Sequence, residues 1–291
     1  MTQGRIGKLL LVALFIAIGA AIGYFIYSGL DPGDEETPVS QGPKPPRPEP
    51  PAQEEREPPQ EKPEQPETAP PEKAPSMALP EEGYCTRVEK DLEEFFRYLN
   101  TRDYVKHFEP EPDTYTRFLE IVKQLESDPP VPAGEGIDPR IIIRNVYYFF
   151  RILDRDDLRL IREVIRNEAD TMEINLLIFY RWLNSKDRCP GLGGARPSGE
   201  ALYRYAGYLL NTVGGRAYLS RRPPQLRVLI SYYCILIVHR ADLRGRNNYG
   251  IDIFPYVLNL ADEIRHYPDL QFYPEYMERL KEIEGYYYER R

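Results

Sequence analysis

The sequence predicts an all-α protein in three parts. These are a single N-terminal transmembrane helix, a disordered Pro/Glu-rich linker and a compact multi-helix C-terminal domain, with an α-solenoid as the alternative packing of that domain. Three observations carry this reading. Residues 9–30 hold no charged side chain. Residues 31–82 hold 16 of the chain's 29 prolines and no aromatic residue. Residues 83–291 repeat apolar side chains at helical spacing, with no stretch that alternates as a strand does. The parts are therefore drawn at 1–30, 31–82 and 83–291.

The first part reads LLLVALFIAIGAAIGYFIYSGL from Leu9 to Leu30. A bilayer core takes about 20 apolar residues as a helix. Helix is the form in which a single span satisfies its own backbone. Tyr24 and Tyr27 sit near the outer end, where amphipathic rings favour the interface. Arg5 and Lys8 precede the run; Asp31, Asp34, Glu35 and Glu36 follow it. Basic residues stay on the cytoplasmic side. The expected topology is thus single-pass, N-terminus cytoplasmic, C-terminal domain outside (periplasmic if the source is bacterial). A cleaved signal peptide is the rival, with Gly19 and Ala21 as a small-x-small site. The apolar run continues for six residues past Ala21, which favours an uncleaved signal-anchor.

The second part carries 14 acidic and 5 basic residues, a net of -9 in a chain whose total is -8. Such a segment cannot bury enough apolar surface to offset backbone ordering entropy. Proline biases it to polyproline II at ~3.1 Å per residue, giving the 52 residues a reach on the order of 160 Å. That suits a tether, or a device for reaching through a cell-wall layer. The layout of residues 1–82 resembles TonB-type energy-transducing proteins: short cytoplasmic tip, one anchor, Pro/Glu/Lys spacer. The resemblance is compositional and ends there, since those proteins finish in a small α+β domain. It brings no function with it.

The third part is near -1 in net charge, which excludes a basic nucleic-acid binder. Val88, Leu92, Phe95, Phe96 and Leu99 form one helical stripe. Phe118, Ile121, Val122 and Leu125 form a second, and Leu158, Ile161, Val164 and Ile165 a third. Asp138-Pro139, Pro223-Pro224 and Pro274 mark helix starts, because proline in the first turn loses no internal bond. Asp170 with Glu173 reads as a capping box, and Ser198 as a cap. Gly214-Gly215 reads as a break. Helices are expected at 84–99, 114–126, 139–153, 155–168, 171–185, 199–213, 224–241, 252–266 and 274–288. Ile141–Leu153 and Val228–Val238 are apolar nearly all round, so both are expected as central core helices. Helix starts follow no fixed period, which places the solenoid second.

Signals of chemistry are sparse. His107, His239 and His266 form no metal-binding pair. His239, at the polar end of the apolar helix, is expected as an imidazolium complementing the helix C-terminus. Gly191-Leu192-Gly193-Gly194 lacks the Lys-Ser/Thr of a phosphate loop. There is no GxSxG elbow. No motif calls for a cofactor or a metal. Arginine outnumbers lysine 26 to 5 in the domain. Guanidinium forks suit anionic partners, so Arg216, Arg221, Arg222, Arg240, Arg244 and Arg246 are candidate binding residues, against the reading that they pair internally. Tyrosine suits interaction faces, and Tyr286, Tyr287 and Tyr288 join the candidates because three consecutive helical residues cannot all face inward. Of three cysteines, Cys234 reads as a core hydrophobe, and Cys85 with Cys189 as the pair for a disulfide.

The expected function is a membrane-tethered cell-envelope interaction or scaffold protein, held to the membrane by residues 9–30, its helical domain meeting a protein or cell-wall partner and no nucleic acid. The alternative is a tethered hydrolase of cell-wall glycan or peptide. A concave pocket holding a glutamate of raised pKa would favour the alternative.

Overall fold

The computed structural model describes residues 77–108, 113–132, 138–191 and 196–291. The expected membrane span at 9–30, and the expected linker as far as residue 76, lie outside them. Among the described residues no helix is long and apolar enough to cross a membrane. No strand occurs among them either.

Each helix follows from local chemistry. α1 (Tyr84–Thr101) starts after Gly83, whose φ of 69° suits a residue without a Cβ. Its buried residues are Val88, Leu92, Phe95, Phe96 and Leu99, the first stripe. A single turn, α2 (Asp103–Lys106), follows. α3 (Thr114–Ser127) is capped by Asp113, which accepts from the Tyr115 and Thr116 amides. α6 (Arg155–Asn167) is capped the same way by Asp154. α8 (Gly199–Asn211) takes Ser198 as cap. α10 (Pro224–Leu243) opens on proline, and α11 (Phe254–Ile264) and α12 (Tyr273–Tyr288) each have proline in the first turn.

Four local expectations are corrected. The segment 139–153 is two short helices, α4 (Pro139–Val146) and α5 (Tyr148–Ile152), broken at Tyr147. They lie at the edge: Ile143, Tyr147 and Phe150 are exposed, Phe150 by 69%. Helices this short bury one face only. Here that face is set by Asn145, whose Nδ2 donates to the Val131 carbonyl at 3.0 Å, and by Tyr148, whose hydroxyl donates to the Asp128 carbonyl at 2.9 Å. Second, Gly214-Gly215 is no break but the first turn of α9 (Val213–Ser220), capped by Thr212. The pair is needed for close approach. A Cβ on Gly215 would sit 2.0 Å from the Tyr208 carbonyl oxygen, and one on Gly214 2.5 Å from that of Asn145. Third, Asp170 lies in a 3₁₀ turn (Ala169–Thr171) ahead of α7 (Met172–Leu183) and caps nothing. Glu173 instead accepts from the amides of Gln271 and Phe272, both at 2.9 Å, where α12 begins. Fourth, the stretch between the helices expected at 84–99 and 114–126 carries the extra helical turn α2.

Two apolar cores share α7. One gathers α1, α2, α3 and Trp182 of α7; the other gathers Leu177 of α7 with α8, α10, α11 and α12. α10 is the central helix, packed by α7, α8, α9 and α11 and buried at Val228, Leu229, Tyr232, Ile235 and Val238. The packing is not the neighbour-to-neighbour stacking of a solenoid: α1 packs on α7, and α4 on α9. Met77 and Leu79 pack on the cores ahead of α1.

Candidate functional site

Four residues of α1 and four of α7 bracket an open cleft. Asp91, Glu94 and Tyr98 are spaced three and four apart, so they lie on one face of α1. Ile174, Ile178 and Arg181 do the same on α7. With Phe95, Asn175 and Thr171 they enclose about 470 Å³. Ligand clefts span about 300–1,000 Å³, so the size suits a peptide side-chain cluster or a small sugar. The floor is apolar, from Phe95 and Ile178; the α1 wall is acidic.

Among the described residues, two carboxylates have their pKa raised by burial: Asp157 of α6, which is paired with Arg117, and Asp91, the one in this cleft. Burial raises its pKa above the usual carboxylate range, and the opposing charges of Arg181, Arg87 and Lys90 do not fully offset this. Glu94, a turn away, adds to the rise. Arg181 is itself held down, chiefly by burial, and its Nη2 donates to the Met77 carbonyl at 2.7 Å. Tyr98 closes the far end, its hydroxyl donating to Glu168 at 2.9 Å. Tyr104 donates to the same buried carboxylate at 2.7 Å, and Arg102 pairs with it at 3.3 Å. The cleft therefore has one end tied by hydrogen bonds to Glu168 and one carboxylate whose burial its neighbouring cations only partly offset.

The residues singled out from sequence lie elsewhere. Arg216, Arg221 and Arg222 sit on α9 and the turn that leads into α10. Arg240, Arg244 and Arg246 sit at the other end of α10, whose 20 residues span about 30 Å. The structure does not join the two groups. Arg240 donates to Asn184 at 3.0 Å, Arg244 pairs with Asp187 at 2.6 Å, and Arg222 lies over the Tyr218 ring at 4.3 Å. Arg221 and Arg246 are exposed. Tyr287 donates to Asp242 at 3.1 Å, and Tyr286 meets the His239 ring edge to face, so both fasten α12 to α10; Tyr288 is exposed by 74%.

His239 corrects another expectation. It is 6% exposed, and burial first, then the charge of Arg279, pushes its pKa below the ordinary value. The ring lies 3.3 Å from the Tyr287 hydroxyl, and its burial works against the expected imidazolium. His107 and His266 are exposed, and no group of His, Cys, Asp and Glu fit to hold a metal occurs among the described residues. Cys85 and Cys189 form a disulfide with Cα atoms 5.6 Å apart, and Cys234 is free and buried.

Asp91, Glu94 and Arg181 escaped the sequence reading. The i, i+3, i+7 spacing on α1 was visible, but a solvated helix face has the same spacing. Only the position of α7 turns that face into a wall. Comparison with protein-family models, curated proteins and solved structures found no match to this chain.

Proposed function

We propose that the chain is a membrane-tethered cell-envelope interaction protein, with its helical domain outside the cytoplasm and the α1/α7 cleft as the surface that receives the partner. The uncharged run 9–30 and the charge asymmetry around it support the tether. The observation that carries the site is Asp91, a half-buried carboxylate whose desolvation its own neighbours leave partly uncompensated. A cation brought by a partner would lower that cost, while apolar side chains of the same partner fill the floor beside Phe95 and Ile178. The occupant that fits is a polypeptide segment pairing Lys or Arg with apolar residues; a nucleic-acid backbone would be repelled by the acidic wall.

A photo-cross-linking side chain at Ile174, on the cleft rim, tests this in intact cells. One discrete heavier species is expected, lost in Asp91→Arg and retained in a charge change remote from the cleft, such as Glu278→Arg. Equal capture with Asp91→Arg refutes the cleft as the partner surface. The second reading is the tethered hydrolase, favoured by the same raised Asp91 with Glu94 one turn away, an acid and a carboxylate in one cleft. Release of wall fragments that both Asp91→Asn and Glu94→Gln abolish would move the assignment there.

A further inference from the structure

A second cavity lies between the two cores, away from the α1/α7 cleft. Three helices line it with two turns each: Leu176 to Leu183 on α7, Leu202 to Leu209 on α8, and Ile230 to Ile237 on α10. Val122 and Leu125 of α3 form a further wall. Seven residue-to-residue steps of 1.5 Å make the slot about 10 Å long, and it holds about 260 Å³. We propose that this slot is a binding site for a single alkyl chain, such as one acyl tail of a lipid.

The chemistry of the walls selects the occupant. The polar groups lining the slot are few, and two are already engaged. Glu126 accepts from the Ser198 amide at 2.8 Å, and the Tyr205 hydroxyl donates to the Leu125 carbonyl at 2.8 Å. A peptide or sugar there would leave most of its N–H, carbonyl or hydroxyl groups facing leucine and isoleucine, at a cost of several hydrogen bonds. A hydrocarbon has none to lose. The shape agrees as well. Each C–C bond of about 1.5 Å advances an extended zigzag by about 1.3 Å, so a 10 Å slot takes roughly eight to nine carbons. Many lining side chains, among them Leu125, Leu183, Leu209 and Ile237, are only half-buried, so a chain entering the slot removes further apolar surface from water. The proposal does not depend on what occupies the α1/α7 cleft.

The test uses the full-length chain in a fluorinated surfactant, which brings no hydrocarbon of its own. The probes are 1-alkanols of four to twelve carbons and lysophosphatidylcholines of matching chain length, with calorimetric titration as readout. Affinity should rise about fourfold per methylene and level off near eight carbons. Ala206→Phe, which projects into the slot, should abolish the rise; Ile237→Trp does the same from a half-buried position if Ala206→Phe does not fold. Equal binding of alkanol and lysolipid means that the chain enters with its headgroup outside. Binding of alkanol alone means a slot closed to headgroups that takes a free chain; either outcome supports the site. Absence of binding by octanol, a rise that continues unbroken to twelve carbons, or binding unchanged in a folded slot-filling variant overturns it.

Discussion

Reducing the Cys85–Cys189 disulfide should lower the thermal midpoint by about 4–16 °C. The bond joins the first turn of α1 to the turn after α7, across a sequence separation of 104. In the chain-entropy account a closure of this length is worth about 4.7 kcal/mol, and measured bridges typically give about 2–4 kcal/mol. The Cα separation of 5.6 Å falls in the ordinary range for the bond. Native contacts share the same junction: Arg188 lies over the Tyr84 ring at 3.6 Å and pairs with Glu81. These persist on reduction, so the junction stays closed in the folded state and the change falls on the unfolded chain. For a domain of about 200 residues, 1 kcal/mol moves the midpoint by about 2–4 °C, which gives the stated range. Circular dichroism melts of the full-length chain with and without reductant measure it, and Cys85→Ala/Cys189→Ala should reproduce the reduced value. Thiol counting on the oxidised chain in denaturant should give one reactive group, from Cys234. Three reactive groups, or a shift below about 2 °C, would refute the reasoning.

Two glycines should respond oppositely to alanine. Gly215→Ala forces a Cβ onto the Tyr208 backbone and should destabilise by about 1–3 kcal/mol or more; Gly285→Ala, within α12 and with nothing inside 4 Å, should stabilise by up to ~1 kcal/mol. Denaturant midpoints of the two variants decide, and similar signs would contradict the close approach of α8 and α9. The depressed pKa of His239 makes stability pH-dependent. Below its ordinary value of 6.5 the unfolded chain binds a proton that the folded ring resists, so stability is full above that pH and declines as the pH falls from it toward the lower folded value. Melts between pH 7.5 and 5.5 should show this slope, and His239→Phe should flatten it; an unchanged slope would mean that other groups carry it.

What the sequence revealed divides along a physical line. Where a helix meets the core through its own periodicity, the pattern is local, and it reads correctly. The α1 stripe names the five residues that helix buries, and Val228–Val238 marks the central helix. Where burial depends on a distant neighbour, the pattern misleads. Gly214 is a helical glycine because the backbone at Asn145, about seventy residues earlier, lies against it. Ile143 and Phe150 face outward because the inward face of their short helices is taken by Asn145 and Tyr148. The pKa of His239 is lowered because α12 folds back and covers it with Tyr286 and Tyr287. The candidate site belongs to the second kind. Asp91 differs from the exposed acids of α1 only in what α7 places opposite it, and α7 begins eighty-one residues later. The arginines stood out by number, yet composition says nothing of spacing in three dimensions. Two of them end in contacts with Asn184 and Asp187, beyond the C-terminus of α7. Asp91 remains the more informative signal, because burial raises its pKa despite the nearby cations, and a partner's cation would offset that cost.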